Sequence, residues 1–252
     1  MKFAIYQSSK VFLFCLLFVF IAGNIWAIDD DASRLLYLPF DGDDPEDLSQ
    51  YAHEVELVGN PEHVDGKYGM AYEVSTSNYI KVPITETLQQ LTEQFTVVFW
   101  VKKGDPQPGT WNYMVAGGSL KWAVILNADQ KVYIYSANPN WSHRMTTDDI
   151  LPEEWTHIAM VYDVDSGVEV YFNGELAGSG AQPAAVVDVD GSIMVGARHP
   201  GQEFFAGIID EVALYNRILT QDEIMRDMEA VGGAAVSASG KLASSWGEIK
   251  GN

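Results

Sequence analysis

Cysteine is almost absent from this sequence. The single cysteine, Cys15, lies inside an apolar N-terminal run, and its apolar neighbours on both sides make it unsuitable as a lipid-attachment site. Removal of that run would leave a chain without thiols, which can form no disulfide and use no catalytic or metal-binding cysteine. Such a chain needs a large core or another staple, and 252 residues are ample for one domain with a substantial core.

Basic residues are scarce as well. The sequence has 15 Lys and Arg against 35 Asp and Glu, which gives a formal net charge of −20 at pH 7. A chain this acidic repels phosphate-rich partners, so we expect neither nucleic acid nor an anionic lipid surface as its target. Bound divalent cations and a solvated acidic surface both agree with this charge.

Residues 1–27 predict a removable secretory signal peptide. Lys2 and Lys10 give it a basic start, residues 11–22 are almost wholly apolar, and residues 25–27 offer a cleavage site ending in Ala. The apolar run is short for a spanning helix, which favours a cleaved signal over an uncleaved anchor. Cleavage would remove two lysines and no acid, so the net charge of −20 would become −22. We expect a secreted, periplasmic or cell-surface protein with no membrane insertion after signal removal.

Short strand-like segments separated by turn residues recur along the rest of the chain. The strongest are residues 95–102 and 155–162, while residues 121–126 and 131–135 flank a four-residue turn in the pattern of a hairpin. A final apolar run, residues 204–215, is predicted to be the closing core strand. Many short strands with regular turn signals predict an all-β, two-sheet antiparallel sandwich of the jelly-roll type.

Residues 33–231 are predicted to form this one domain, which ends in a short helix. Thr220 and Glu223 have the spacing of a capping box, which marks the helix start. Residues 232–240 are Gly, Ala, Ser and Val only, the composition of a flexible linker. We interpret 232–252 as a flexible tail that could act in sorting or attachment; a terminus without a role is the alternative.

Two adjacent acids, Asp210 and Glu211, interrupt the closing strand. A buried carboxylate is costly unless it is paired, hydrogen-bonded or bound to a metal. Since neighbouring residues of a regular strand alternate, we expect the two side chains to point to opposite faces of the sheet.

Three passages, in this order, resemble the laminin G-like, concanavalin A-like lectin/glucanase jelly-roll superfamily. They are residues 38–42 with 66–71, residues 95–102, and residues 155–174 with 209–217. The resemblance spans essentially the whole predicted domain. It implies a two-sheet antiparallel sandwich that often carries one structural Ca²⁺.

The resemblance further implies that Asp41 and Asp210 hold this calcium, with backbone carbonyls near Lys67 and Tyr68 as further ligands. Ca²⁺ takes about six to eight oxygen ligands, which carboxylates and turn carbonyls supply. The ion would neutralise Asp210 and join the two chain ends in place of a disulfide. The alternative is that Asp210 accepts backbone hydrogen bonds or pairs with an arginine. The arginines considered are Arg198 and Arg217, and the turn acids read as solvated are Asp43, Asp44 and Asp47.

Patterns that would indicate catalysis are missing. Retaining glycosidases need two carboxylates about 5 Å apart, and the Glu-x-Asp-x-x-Glu strand of concanavalin-like endo-glucanases does not occur here. There is no Gly-x-Ser-x-Gly, and the histidines lack metal spacing. His157, inside a strand, is interpreted as a buried structural residue. We expect a protein that is not an enzyme.

Aromatic residues near polar loops give the candidate ligand site, because sugars are held by aromatic faces with a few polar groups. The hairpin residues Trp122, Tyr133 and Tyr135 could lie on one face near Trp111 and Tyr113, and core packing is the alternative for Trp122 and Tyr133. The candidate ligand-binding residues are Trp111, Tyr113, Trp141, His143 and Arg144.

The predicted function is therefore that of an exported, non-catalytic recognition module. Its partner would be a glycan or an extracellular or surface protein, and its cofactor a structural Ca²⁺. Two other classes stay open. One is a carbohydrate-active hydrolase or lyase with an unrecognised site, and the other is a purely structural or adhesive surface component.

Overall fold

The computed structural model describes residues 31–119, 121–136, 142–187, 189–198 and 200–229. The predicted signal peptide 1–27, the tail 232–252 and the candidate ligand residue Trp141 lie outside these residues. No helix of the described ranges is long and apolar enough to span a membrane.

Fifteen β-strands lie within the described residues, together with a short 3-10 helix and the helix α1 at residues 221–229. The strands are β1 (Arg34–Leu38), β2 (Glu56–Val58), β3 (Glu62–Asp65), β4 (Met70–Val74), β5 (Tyr79–Pro83), β6 (Gln94–Lys103), β7 (Trp111–Gly117), β8 (Trp122–Asn127), β9 (Lys131–Ser136), β10 (Ser142–Ile150), β11 (Thr156–Asp163), β12 (Gly167–Phe172), β13 (Glu175–Gly180), β14 (Ser192–Val195) and β15 (Gly207–Tyr215). The 3-10 helix is Leu88–Gln90.

These strands form two antiparallel sheets. Sheet A has the order β13-β12-β11-β6-β15-β4-β3, with β1 also paired to β15. Sheet B has the order β10-β9-β8-β7-β14-β5-β2. The prediction of an all-β, two-sheet jelly-roll sandwich with one short C-terminal helix is confirmed.

The core fills the space between the sheets, and strand alternation decides which side chains enter it. On β6, Phe95, Val97, Phe99 and Val101 face inward and are fully buried. Trp122 of β8 is fully buried against Phe95, with ring centroids 5.4 Å apart. Of the two alternatives for Trp122, ligand face or core, the structure shows core packing. Tyr133 alternates to the other side of sheet B, where it packs against a separate outer cluster.

Helix α1 covers the outer face of sheet A. Leu219 and Ile224 pack there on Val98, Ala213 and their neighbours in a second buried cluster. The helix begins with the predicted capping box: the Thr220 N–H donates to Glu223 Oε2 at 2.8 Å, and the Glu223 N–H donates to Thr220 Oγ1 at 3.3 Å. Among the described residues no helix covers the outer face of sheet B, where Tyr113, Ile125, Tyr135 and Met194 belong to a third buried cluster.

The loop after β1 corrects one expectation. Asp47 is buried, whereas Asp43 and Asp44 are exposed as expected. The Asp47 carboxylate accepts hydrogen bonds from the backbone N–H groups of Tyr37 and His53 at 2.9 and 2.8 Å. The prediction of a solvated turn residue is wrong for Asp47 because its side chain satisfies backbone donors that the loop leaves unpaired.

Candidate functional site

Strand β15 contains a bulge at its two acids. Asp210 pairs with Trp100 of β6, whereas the next recorded pair joins Ala213 to Val98, so β15 has one extra residue at this point. The backbone of Glu211 accommodates this bulge. Its φ of +54° lies in the left-handed region that a non-glycine residue rarely adopts. Such bulges recur where a strand must aim a side chain at a functional site.

The bulge turns both acids to the outer side of sheet A. Ile209 before them and Val212 after them both lie in the core between the sheets. Two residues therefore fit between two inward positions, and neither Asp210 nor Glu211 enters the core. The expectation that the acids point to opposite faces is wrong, because alternation holds only for a strand without an inserted residue.

The edge of β15 changes partner at the same place. Gly207–Ile209 pair with β4, and Val212–Tyr215 pair with β1. Between them, the turn formed by residues 66–69 reaches Asp210: the backbone N–H groups of Lys67 and Tyr68 donate to Asp210 Oδ2 at 2.9 and 3.1 Å. A Cβ on Gly66 would lie 2.6 Å from the same oxygen, so only glycine allows this approach.

Asp41 approaches the same turn from the other end of the chain. Its Oδ1 accepts the backbone N–H of Met70 at 3.0 Å, and a Cβ on Gly69 would overlap its carboxylate. Burial raises the pKa of Asp210 to about 7, and the negative charge of Asp41 acts in the same direction. The structure thus brings together the two predicted calcium ligands, Asp41 and Asp210.

Part of each buried acid has no protein partner. Asp210 Oδ1 and Glu211 Oε1 are buried, and no hydrogen-bond donor of the described ranges reaches either oxygen. The other Glu211 oxygen accepts the hydroxyl of Tyr37 at 2.8 Å. Burial, and next to it the charge of Asp210, raises the pKa of Glu211 to about 9. Sequence reasoning did not select Glu211 as a site residue; the adjacent acids within one apolar strand were the available signal.

The arginine alternative for Asp210 does not occur. Arg217 pairs with Asp31 at 2.9 Å and with Glu223 at 2.8 Å, while Arg198 pairs with Glu203 at 3.1 Å. The other part of the alternative is observed, since Asp210 Oδ2 accepts backbone hydrogen bonds from Lys67 and Tyr68, and Oδ1 is the oxygen without a recorded partner.

The donor set agrees with a hard cation. Carboxylate oxygens without donors are the ligand type that Ca²⁺ prefers. Within the part of the chain that the structure describes, no group of three or more His, Cys, Asp or Glu has an arrangement able to hold a metal ion. Backbone carbonyls and water would therefore have to complete the coordination.

A second buried polar cluster lies under α1. Asp227 of α1 accepts the hydroxyl of Tyr215 at 2.6 Å, and its other oxygen lies 3.9 Å from His157 Nε2. His157 packs edge-on against Trp100 with ring centroids 5.3 Å apart. Burial lowers the pKa of His157 to about 3 and raises the pKa of Asp227 to about 6. His157 is thus a neutral, buried residue outside the candidate ligand site.

The outer face of sheet B carries a row of three aromatic rings. The Trp111 and Tyr133 centroids are 4.8 Å apart, and the Tyr133 and His143 centroids are 4.5 Å apart. Tyr133 and His143 are stacked, so each covers one face of the other. Trp111 is tilted by 56° and is 38% exposed. Trp111 and His143 are therefore the exposed rings at the two ends of the row, with Tyr133 between them.

Two further predicted ligand residues, Tyr113 and Arg144, have contacts outside this row. Tyr113 is on the same strand as Trp111 but is buried, and burial raises its pKa to about 12. Arg144 donates through Nε to Ser136 at 2.8 Å. Ser136 follows Ile134 on the inward-facing side of β9. The structure joins Trp111 to His143 through Tyr133, but does not bring Arg144 to this row.

An open cleft of about 520 Å³ lies beside Trp111, where three loops meet. Its described lining residues are Thr76, Pro108, Gly109, Thr110, Trp111, Glu203 and Phe204. Phe204 was expected to begin the closing strand, but that strand begins at Gly207, and Phe204 instead packs on Tyr79 at 6.0 Å. Sequence reasoning missed Glu203 and Phe204 because neither stands in a loop with an aromatic pattern.

Glu203 is held in a defined position in this cleft. Its backbone has φ +49°, and its carbonyl accepts the N–H of Tyr113 at 3.2 Å. Arg198 contacts the Glu203 carboxylate through Nε and donates through Nη2 to Gln202 at 2.8 Å. A strained backbone held by its surroundings is frequent at functional sites. The cleft therefore combines a half-exposed indole, a second aromatic ring and one oriented carboxylate.

A family model described as "Concanavalin A-like lectin/glucanases superfamily" matches residues 74–225. Among curated proteins, adhesion G-protein coupled receptor V1 of Danio rerio is 24% identical over 173 residues, which cover 63% of this chain. The chain spans only 3% of the length of that receptor.

Two solved structures have similar folds. Domain 4 of AbnA, a GH43 extracellular arabinanase from Geobacillus stearothermophilus, was solved with arabinotriose; it is 23% identical with a TM-score of 0.64, over 77% of this chain and 98% of that one. The binding domain of botulinum neurotoxin serotype D is 18% identical with a TM-score of 0.64, over 79% of this chain and 52% of that one. At these identities, the two structural similarities establish the fold alone.

Proposed function

Because the chain belongs to the concanavalin A-like lectin/glucanase superfamily, we propose that it is an exported, non-catalytic recognition module for carbohydrate. The ligand would bind at the cleft beside Trp111 on the outer face of sheet B. A calcium ion at the opposite sheet would serve the structure.

One observation carries this proposal: a half-exposed indole forms the wall of a cleft that also offers hydroxyl and carboxylate groups. Trp111 presents an apolar face to the sugar ring, and Phe204 adds a second aromatic surface. Thr76, Thr110 and Glu203 supply hydrogen-bonding groups in the same cleft. A concave site with aromatic walls and a few oriented polar groups suits a saccharide.

The same cleft supports binding in preference to hydrolysis. Retaining glycosidases need a second carboxylate about 5 Å from the first. Among the described lining residues, Glu203 is the one carboxylate. Its Oε2 already lies 3.1 Å from Arg198 Nε, in an ion pair.

The similar arabinanase domain supports carbohydrate as the ligand class, since its structure contains arabinotriose. Export is proposed from the signal predicted at residues 1–27. Attachment through residues 232–252 is a further proposal, and its test is the location of the protein after that tail is deleted.

The calcium proposal is supported by the buried carboxylate oxygens of Asp210 and Glu211 that lack donors. Asp41 and Asp210 would hold the ion together with backbone carbonyls and water, and the ion when bound would supply positive charge to neutralise the buried acids of β15. The chain's own contribution is to orient them: the N–H groups of residues 67 and 68 fix Asp210, and the Tyr37 hydroxyl fixes Glu211.

The test is binding of the chain without residues 1–27 to a panel of soluble oligosaccharides and polysaccharides. Trp111→Ala is expected to weaken binding about tenfold or more, because burying an aromatic side chain is worth about 1.5–3 kcal/mol. Tyr51→Ala, at a residue of similar exposure (36%) in the loop after β1, is the matched control.

Three results would contradict the proposal. Unchanged binding by Trp111→Ala would exclude this cleft as the site. Release of reducing ends from the panel would favour a hydrolase. Absence of binding to every saccharide would leave a protein-binding or structural role.

A further inference from the structure

The cleft contains a charged side chain, Glu203, which affects the class of sugar that can bind there. Glu203 is the charged side chain among the described lining residues, and it is 37% exposed. Its recorded ion pair uses Oε2, which lies 3.1 Å from Arg198 Nε. The cleft therefore presents a carboxylate acceptor to its ligand; the cation that pairs with it, Arg198, is not among the described lining residues, and these include no other lysine or arginine.

Three contacts hold Glu203 and its loop. Its Oε2 lies 3.1 Å from Arg198 Nε, and the loop closes on itself through an isolated bridge between Arg198 and Gln202. The backbone carbonyl of Glu203 is tied to the Tyr113 N–H at 3.2 Å. Ordinary loop glutamates are free to turn away from a ligand, whereas this one is held at the cleft wall.

We propose that Glu203 determines the ligand class: the cleft takes neutral saccharides with adjacent free hydroxyls and rejects sugars that carry carboxylate or sulfate. This inference rests on the proposed carbohydrate-binding function. Adjacent hydroxyls of a sugar donate to an ionised carboxylate, and such charge-assisted hydrogen bonds are stronger than neutral ones.

Rejection follows from the same group. A uronate, sialate or sulfate ester at this position would put a second anion beside Glu203 and gain no new cation from the lining. Like charges brought together in a partly desolvated site weaken binding strongly. The formal charge of −20 on the chain acts in the same direction at longer range.

The aromatic groups of the site do not discriminate between neutral and anionic sugars. Trp111 and Phe204 offer apolar surface, which contacts the C–H face of neutral and anionic sugars alike. Loss of Trp111 should therefore weaken binding of every ligand, and loss of the Glu203 charge should change the preference between ligands. This difference separates the present inference from the function on which it rests.

The experiment is calorimetric or fluorescence titration of the chain without residues 1–27. The neutral probes are arabinotriose, cellotriose, maltotriose and lactose; the anionic probes are trigalacturonate, sialyllactose and a sulfated lactose. Lactose and its two anionic derivatives form a matched set. The variants are Trp111→Ala, Glu203→Gln and Glu56→Gln.

Glu56→Gln is the matched control because Glu56 also pairs with a base, Lys81 at 2.8 Å, and is 39% exposed on an edge strand of sheet B. It is expected to leave all binding unchanged. The thermal midpoint of each variant identifies any loss of fold, and Glu203→Asp, which keeps the charge and suits the left-handed backbone, is the second variant for that case.

We expect the wild-type chain to bind at least one neutral probe and to bind anionic probes at least about tenfold more weakly. Glu203→Gln should weaken the neutral probe about tenfold and reduce the difference between the two classes. Glu203→Asp should retain the rejection of anions.

Two results would overturn the inference while leaving the proposed function intact. One is preferential binding of anionic probes that is lost in Trp111→Ala. The other is neutral binding that depends on Trp111 but not on the charge at position 203. Absence of binding to every probe would contradict the proposed function, and this inference with it.

Discussion

The hydroxyl of Tyr37 donates a hydrogen bond of 2.8 Å to Oε2 of Glu211. Tyr37 lies in the first strand and Glu211 in the last, and these two strands pair along sheet A. Both side chains are buried, so water cannot replace the contact. The first and last strands are therefore joined by a side-chain contact as well as by their backbone ladder.

Tyr37→Phe should lower the free energy of unfolding by about 1–3 kcal/mol, because it leaves a buried acid with one fewer donor. Urea unfolding measures this loss. Tyr171→Phe is the matched control, since Tyr171 donates at 2.7 Å to Glu169 on the same, half-buried strand. A change within about 0.5 kcal/mol is expected there. Equal losses in both variants would contradict the special role of the Tyr37 contact.

Excess Ca²⁺ should raise the thermal midpoint of the metal-free protein by several degrees. A ligand that binds only the folded state adds roughly 3–4 kcal/mol at 100 to 1,000 times its dissociation constant. Asp210→Asn should abolish most of this shift, because it removes a buried carboxylate oxygen without a donor. Differential scanning calorimetry with Ca²⁺ and with chelator gives the measurement.

Asp43→Asn is the control for the calcium experiment, since Asp43 is an exposed acid in the turn next to Asp41. It should leave the shift unchanged. If Ca²⁺ has no effect on protein prepared without metal, the calcium proposal is wrong and Asp210 is an ordinary hydrogen-bonded acid.

Gly69→Ala should destabilise the protein by more than about 1 kcal/mol and reduce the effect of Ca²⁺. Gly69 has φ +50°, and a Cβ there would overlap the Asp41 carboxylate. Gly109→Ala is the control, because its backbone has no positive φ and its nearest neighbour would be 3.7 Å away. Chemical unfolding should give a clearly lower free energy of unfolding for Gly69→Ala than for Gly109→Ala. Similar free energies would mean that the turn relaxes around the added methyl group.

Acid should act in opposite directions on His157 and Asp227. The pKa of His157 falls from 6.5 to about 3 on burial, so between these values the unfolded chain binds the extra proton and stability is lost as pH falls. The pKa of Asp227 rises from 3.8 to about 6 on burial. The Asp227 contribution is therefore present at low pH and is lost as pH rises through about 6.

Asp227→Asn should consequently lose more stability than the wild type between about pH 6.5 and pH 4, since the His157 penalty is then unopposed. His157→Gln should lose less than the wild type over the same range. Urea unfolding at several pH values in the presence of chelator measures how the free energy of unfolding of each variant changes with pH. Parallel pH profiles for the wild type and both variants would show that these two groups do not control acid stability.

Local patterns in the sequence predicted the strands that form regular parts of the sandwich. The run predicted at residues 95–102 is β6, Gln94–Lys103, and the hairpin predicted around residues 127–130 is the antiparallel pair of β8 and β9. In these segments, alternation and turn composition act in the same direction as tertiary packing, so a local rule suffices.

The site depends on features that local patterns do not contain. The bulge places Glu211 in the left-handed region, and the sequence contains no glycine or asparagine at this position that would predict such a backbone conformation. Phe204 stands in an apolar run but leaves the strand to form the cleft wall, because the loop from Arg198 to Gln202 fixes its position. Tyr113 was grouped with Trp111, yet packing buries one ring and exposes the other.

Strand β15 also determines how the domain would carry a mechanical load. The cleft residue Phe204 lies just before its first residue, Gly207, and the strand then runs for nine residues, about 30 Å, to Tyr215. It is hydrogen-bonded to β6 along one edge and to β4 and then β1 along the other. Tension between a bound ligand and the chain beyond Tyr215 would act along this strand, so that many hydrogen bonds share the force at once and none is peeled off singly.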